Sequence, residues 1–341
     1  MKIGLNYPFP WNAYGLYFGG GRPPGSAPEL DRWIEHLGSN LVPLRDELGM
    51  SVVRIFLLCN LANYGRVTGG RCELPEALHP KFLEHMERML VEFDRAGVQV
   101  IPSLIDFKAL GRIPGPKDPQ NGCGGRSSLV ADRALSAAFL DQVLEPLLDV
   151  AESFRSTIYC FEVVNEPIWN TLPRPLPVWV AGGRTLSRGD LVDFLNQALL
   201  RIESRGLQST VGHRFLSDLK RFPAGTKRQI HFYPTNLLGA TFIDRSLPNY
   251  DQSRAFVGEF GIRAPGGPHG EAWLALRGID RRDTRSRVAA RLSHIKQKGY
   301  PLCLLWPDGR NGRGKRALPP GPDPIQLSEL AQKGVVDFWR A

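Results

Sequence analysis

The feature that most restricts how this chain can fold is an alternation. Short apolar runs of strand length are separated, again and again, by longer segments with helical spacing. The runs fall at 3–7, 52–58, 98–105, 157–164, 209–212, 229–233, 255–260 and 300–306. Between the first two, segment 29–48 places Leu30, Trp33, Ile34, Leu37, Leu41 and Leu44 along one face of a helix. Segments 80–96, 129–154, 187–205, 281–298 and 324–340 read as helices by the same rule. A shorter helical piece is expected at 215–222, and 236–253 stays undecided. Gly97, Gly206 and Gly299 stand just past three of the helices, where a left-handed residue closes the last turn. Ser187 is placed to cap the helix it precedes, and Pro146 to break the one it lies in.

Strands that alternate with helices pair in parallel through right-handed crossovers. Eight such units make a (β/α)8 barrel of the α/β class, and one barrel accounts for residues 1–341 as a single domain. The main competitor is an open doubly wound sheet, which puts a phosphate-binding glycine loop after its first strand. The stretch GGGRPPG at 19–25 is rich in glycine, but it carries two prolines and matches neither GxGxxG nor GK[ST].

Charge and cysteine content narrow the function classes. The net charge is +9, spread along the chain with clusters at 277–291 and 309–316. No helix-turn-helix, zinc finger or aromatic-basic RNA motif accompanies it, so no nucleic-acid partner is expected. Solvated helix faces account for most of the charge. The cluster of Arg310, Arg313, Lys315 and Arg316 leaves contact with an acidic polysaccharide as an alternative. The cysteines, Cys59, Cys72, Cys123, Cys160 and Cys303, show no CxxC spacing. Cys160 and Cys303 lie in apolar runs and read as buried small hydrophobes. Reduced thiols are expected, with a bridge among the other three left open. No HExxH or clustered Cys/His spacing marks a metal site, and neither metal nor cofactor is expected. The opening MKIGLNYPFPWNAYG lacks the apolar core of a signal peptide, and no long apolar span follows. A cytoplasmic protein without a membrane partner is therefore expected, or a secreted one if a leader has been removed.

In a barrel of this kind, reactive side chains stand at the C-terminal ends of the strands. Read in order, those ends hold Asn6 and Tyr7, Arg54, Asp106, Asn165 and Glu166, His213, His231 and Tyr233, Glu259, and Trp306. The set is polar and aromatic for the tails of apolar runs, and burying such groups is costly unless they are partnered. Glu166 in FEVVNEP and Glu259 in FVGEFG follow the fourth and seventh strands, so they face each other across the barrel mouth. Either alone fits a structural ion pair. Together they are what glycoside hydrolysis needs: one protonates the leaving oxygen, and the other attacks or activates water.

Asn165–Glu166–Pro167, His231 and Tyr233 in HFYP, Glu259 in GEFG, Trp306 in LLWP and Arg54 on the second strand occur in a telling order. That order resembles glycoside hydrolase clan A, most closely the family 5 cellulases and mannanases, and the likeness runs from Ile3 to Trp306. It implies a retaining hydrolase of β-linked glycans, of β-glucan or β-mannan type and endo-acting. Its partner is then a β-linked oligo- or polysaccharide. Glu166 takes the role of acid/base and Glu259 that of nucleophile. Arg54 holds Glu259 charged, Tyr233 donates to it, and Asn165 binds the sugar 2-hydroxyl. His231 matches a further binding position, and Trp306, Trp169 and Trp179 offer flat faces to sugar rings. Apolar surroundings and the nearby charge of Glu259 are expected to raise the pKa of Glu166. One position departs from the family, which carries a His near the end of its third strand. Here Ile105 and Asp106 stand there, and Asp106 or the loop residue Asn121 is the replacement. His213 is left between a pocket role and a core role. Two other functions share such a site: a carbohydrate-binding barrel that has lost hydrolysis, and a transglycosylase that excludes water from the second step.

Overall fold

Eight strands close into a parallel barrel. They are β1 (Lys2–Tyr7), β2 (Met50–Phe56), β3 (Gln99–Asp106), β4 (Phe161–Asn165), β5 (Ser209–His213), β6 (Arg228–Phe232), β7 (Ala255–Gly261) and β8 (Leu302–Trp306). Each pairs with the next in the chain, and β8 returns to β1. This is the (β/α)8 architecture expected from the alternation. The computed structural model describes residues 1–7, 27–58, 67–68, 71–72, 78, 80–111, 124–172, 185–232, 254–261, 283–306 and 329–341.

Among the described residues, helices occupy five of the intervals between strands and follow the last, and a 3-10 turn at Leu216–Lys220 stands between β5 and β6. The helices are α1 (Ala27–Glu35), α2 (Leu37–Leu48), α3 (Pro80–Ala96), α4 (Ser128–Ala131), α5 (Arg133–Phe139), α6 (Glu145–Ala151), α7 (Arg188–Ser204), α8 (Thr284–Gln297) and α9 (Glu329–Arg340). The single helix expected over 29–48 is two. His36 separates them with φ −95° and ψ −2°, a departure too small to disturb the apolar periodicity that suggested one helix. The helix expected over 129–154 is broken twice. Asp132 is extended and caps α5, accepting from the N–H groups of Ala134 and Leu135. A π turn at Leu140–Leu144 then leads into α6, where the Glu145 N–H reaches back to the Leu140 carbonyl. Pro146 follows at once; it has no N–H to give, so the widened turn costs no helical hydrogen bond there. Ser187 caps α7 as expected, accepting from the Asp190 N–H. The undecided stretch 236–253 lies outside the described residues.

Successive side chains of a strand point to opposite faces. The outward set packs beneath the helices, with Ile3, Val53, Val100, Phe161, Val257 and Cys303 in the large core. The inward set begins with a separate apolar cluster of Val52, Ile101, Cys160, Phe256, Leu302 and Leu304, which plugs the barrel. The next inward layer toward the C-terminal ends is polar. It holds Asn6, Arg54, Glu162, Gln229 and His231, none more than 1% exposed. Cys160 and Cys303 are buried and unbridged, and burial raises both thiols above their ordinary pKa. Among the described residues, no helix is long and apolar enough to cross a membrane.

Candidate active site

Strand register brings the candidate residues side by side. Asn6 is opposite Arg54, Asp106 opposite Asn165, His231 opposite Glu259, and Trp306 opposite Gly261. Arg54 is the hub. Its guanidinium has five N–H donors, and all five are engaged. Nε and Nη2 grip Glu162 at 2.6 and 2.8 Å. Nη1 donates to Asn6 Oδ1 at 2.9 Å and to Glu259 Oε1 at 2.7 Å. The second Nη2 donor reaches Asn165 Oδ1 at 2.9 Å. Burial disfavours the charge on Arg54, but Glu162 and Glu259 outweigh it and hold the guanidinium protonated. Its face also lies over the Phe56 ring, 4.6 Å from the centroid.

Two local distortions aim the β4 side chains. Glu162 and Asn165 are three residues apart, so a regular strand would point them to opposite faces. The β4–β5 register shifts between them, and both meet Arg54. Glu166 then adopts φ 49° and ψ 50°, the left-handed region that a non-glycine residue enters at a cost of about 1–3 kcal/mol. Its N–H is tied to the Gly212 carbonyl at 2.9 Å, which holds the turn.

That turn delivers the Glu166 carboxylate into a ring of donors. His231 Nδ1 lies 2.8 Å from Oε1, and the Trp169 indole N–H donates to Oε2 at 2.6 Å. Arg214 Nε stands 3.9 Å from Oε1. Burial pushes the Glu166 carboxyl up, as the sequence led us to expect, but the net direction is the opposite. With His231 charged, its hydrogen bond and charge, the charge of Arg214 and the indole N–H together bring Glu166 down to about 2. The expectation of a raised value left out these donors, two of which come from outside the strand-end motif.

Glu259 accepts from Arg54 through one oxygen, and its other oxygen lies 3.5 Å from His231 Nδ1. One oxygen of Glu166, one ring nitrogen of His231 and one oxygen of Glu259 all lie within 4.8 Å of one another. A cation can bridge groups so spaced. Here each carboxylate is already engaged, by Arg54 or by the indole, so the set is organised as a hydrogen-bonded acid–base cluster.

Asp106 occupies the third-strand position where the family pattern has histidine. It accepts from Asn165 Nδ2 at 3.0 Å and from the Lys108 N–H at 2.8 Å, so it fixes the Asn165 amide from the side away from Arg54. Burial raises its carboxyl to about 6, with the Lys108 charge and both hydrogen bonds opposing. Asn121 lies outside the described residues, as do Tyr233, Trp179 and the basic cluster 309–316. Trp306 is half-buried at the end of β8. Trp169 is 6% exposed, and its ring meets Phe107 and Phe215 at 6.3 and 5.7 Å between centroids. So enclosed, it offers Glu166 a hydrogen bond rather than a sugar an open face. His213 is fully buried with neither ring nitrogen hydrogen-bonded, and burial, with the charge of His231, lowers it to about 3.

Sequence reading passed over Glu162, Gln229, Arg214 and two glycines. Glu162 is a single polar residue inside an apolar run, and Gln229 opens one beside Arg228. Their partners are 108 and 67 positions away, from Glu162 to Arg54 and to Gln229. The glycines make room. A Cβ on Gly212 would stand 2.2 Å from Glu162 Oε1, and one on Gly258 2.3 Å from Gln229 Cγ.

No protein-family model matches the chain, and no curated protein matches it by sequence. Many solved structures share the fold. An endo-1,4-β-mannanase from Eisenia fetida superposes with a TM-score of 0.65 at 16% identity, covering 100% of this chain and 91% of that one. A β-1,4-mannanase from the sea hare Aplysia kurodai gives 0.63 at 16% identity, over 98% of this chain and 91% of that one. A GH5_18 protein from Streptomyces cattleya, in complex with Manβ1-4GlcNAc, gives 0.64 at 15% identity, over 99% and 80%. These are the kinds of protein that the strand-end motifs resemble.

Proposed function

We propose that this chain is a retaining β-glycoside hydrolase, with Glu259 as nucleophile and Glu166 as acid/base. The observation that carries the reading is the cluster at the barrel mouth. Glu166 and Glu259 have oxygens within 4.8 Å of each other across one imidazole. Retaining enzymes hold their carboxyl groups about 5–5.5 Å apart, whereas inverting ones need about 6.5–9.5 Å to admit a water.

The surroundings assign the roles. Glu259 is bound to the Arg54 guanidinium, which keeps it ionised and fixes the oxygen turned toward the substrate. Glu166 is held by an indole and an imidazole, groups suited to steadying a carboxyl that gains and loses a proton. In the first step Glu259 forms a bond to the anomeric carbon while the Glu166 proton passes to the departing oxygen. In the second, Glu166 takes a proton from water, whose oxygen displaces Glu259. Asn165, fixed between Arg54 and Asp106, keeps one amide N–H for the sugar 2-hydroxyl. Trp306, half-buried at the end of β8, offers a face to a ring. The mannanase and GH5_18 neighbours favour a β-mannosidic substrate. Endo action follows the mannanases.

The test is a panel of β-mannan, β-glucan, Manβ1-4GlcNAc and aryl β-glycosides, with products sized and added acceptor sugars tracked. Release of β-mannosides by the wild type and not by Glu259→Ala is expected. A wild type that binds glycans and cleaves none would make it a carbohydrate-binding barrel. Transfer to acceptors without hydrolysis would make it a transglycosylase.

A further inference from the structure

Behind the carboxylate pair lies a polar layer that the double displacement does not itself use. Gln229 is its centre and is fully buried. Its Nε2 lies 2.9 Å from Glu162 Oε1 and 3.0 Å from His231 Nε2. An amide nitrogen has two N–H donors and accepts nothing. Directed at Glu162 and His231, both donors are used. Turning the amide over would bring its carbonyl oxygen against the Glu162 carboxylate. That carboxylate has no proton to offer, because its oxygens already take three N–H groups, two from Arg54 and one from Gln229. The amide orientation is therefore set by Glu162, which is itself set by Arg54.

This orientation fixes the chemistry of His231. A ring nitrogen that accepts from Gln229 must carry a lone pair, so the proton of a neutral ring sits on Nδ1. Nδ1 is the atom facing Glu166 Oε1 at 2.8 Å. The surrounding charges are mixed. Glu166 after β4 and Glu259 on β7 favour an imidazolium, as does Glu162 behind Gln229, while Arg54 on β2 and Arg214 after β5 disfavour it. His213 on β5 is neutral. Against the carboxylates stands a direct conflict: an imidazolium would aim its Nε2–H at the N–H of Gln229.

We propose that Gln229 and Glu162 are positioning residues that hold His231 as a neutral imidazole protonated at Nδ1, leaving Glu166 free to carry the catalytic proton. The part concerning Glu166 rests on the hydrolase reading; the part concerning His231 does not. A neutral His231 removes the charge that would keep Glu166 ionised, and burial then favours its protonated form. The neighbours of Glu166 among the described residues, the Nδ1–H, the indole N–H and the Arg214 guanidinium, are all donors. None of them can take its proton, which leaves it available to the glycosidic oxygen.

Nitrogen NMR of the substrate-free protein labelled with [15N]histidine tests this, with the His231 signals assigned by their loss in His231→Asn. Near neutral pH, a lone-pair nitrogen at Nε2 and an N–H at Nδ1 are expected. Gln229→Met removes both donors at similar volume, and His231 should then bind its second proton at higher pH than in the wild type. Gln229→Glu should give a doubly protonated ring. In kinetics, Gln229→Glu should move the basic limb of kcat/KM to lower pH, and the loss should be steeper for poor leaving groups than for acidic phenols. A packing defect alone would lower all substrates alike. A doubly protonated wild-type ring, an N–H at Nε2, or identical His231 titration in the wild type and Gln229→Met would overturn the proposal. A chain with the expected tautomer that cleaves no glycan would sustain the His231 assignment and remove the hydrolase reading.

Discussion

Arg54 shows how much of this site depends on single side chains. Its five donors satisfy two carboxylates and two amides in a space closed to water. Replacing it by Met leaves Glu162 and Glu259 buried without their shared guanidinium, which costs about 3–5 kcal/mol. Denaturant titration should show that loss, and a midpoint close to wild type would mean that the network is not held through Arg54. Trp169→Phe is a milder change. The indole N–H stabilises ionised Glu166, so its loss raises the Glu166 pKa and moves the basic limb of the rate profile to higher pH. One hydrogen bond to a charged group is worth roughly one pH unit there. A shift to lower pH would show that the indole acts on something other than the carboxylate.

At the scale of elements, the barrel has to open its strands to seat these groups. The β4–β5 register shift sets Glu162 beside Asn165, and glycines at 212 and 258 clear the space for Glu162 and Gln229. Gly212→Ala should lower the melting temperature by forcing Glu162 off Arg54, at about 1–3 kcal/mol. Gly189→Ala, where a Cβ would meet Ser187 Oγ at an ordinary 3.7 Å, should not. Equal effects would mean that helix and barrel glycines matter only through backbone freedom. The strands themselves were legible in the sequence, because a strand buried on both faces is an apolar run. Glu166, Glu259 and Asn165 were legible because they sit at or near the ends of such runs, and Arg54 because it is the one charge within its run. Glu162 and Gln229 were not, since only barrel closure brings them together. The helix breaks at His36 and Asp132 were hidden because apolar periodicity continues across them, over a small dihedral change at His36 and a single extended residue at Asp132. The donors to Glu166 were missed because Arg214 and Trp169 lie just past their strands, in positions that a list of strand ends does not reach.

At the scale of the molecule, buried ionisable groups set opposed pH dependences of stability. Asp106 is raised to about 6 in the folded state, above its ordinary value near 3.8. The folded chain therefore binds this proton more tightly, and its contribution is lost as pH rises through about 6. His213 is lowered to about 3, so the unfolded chain takes up that proton first, and stability is lost as pH falls below about 6.5. Melting curves across pH should show Asp106→Asn gaining on the wild type as pH rises from 4 to 7. They should show His213→Gln gaining as pH falls over the same range. Parallel curves would mean that neither group differs between folded and unfolded chains.

The central proposal is that Glu259 is a charged nucleophile facing Glu166. The most direct test is to trap it with a 2-deoxy-2-fluoro β-mannoside bearing an acidic leaving group, then digest the protein and weigh the peptides. The account predicts one glycosyl unit attached, on the peptide containing Glu259, and no label on Glu259→Ala. Label on another residue, or hydrolysis of the reagent with α-configured product and no adduct, would contradict it.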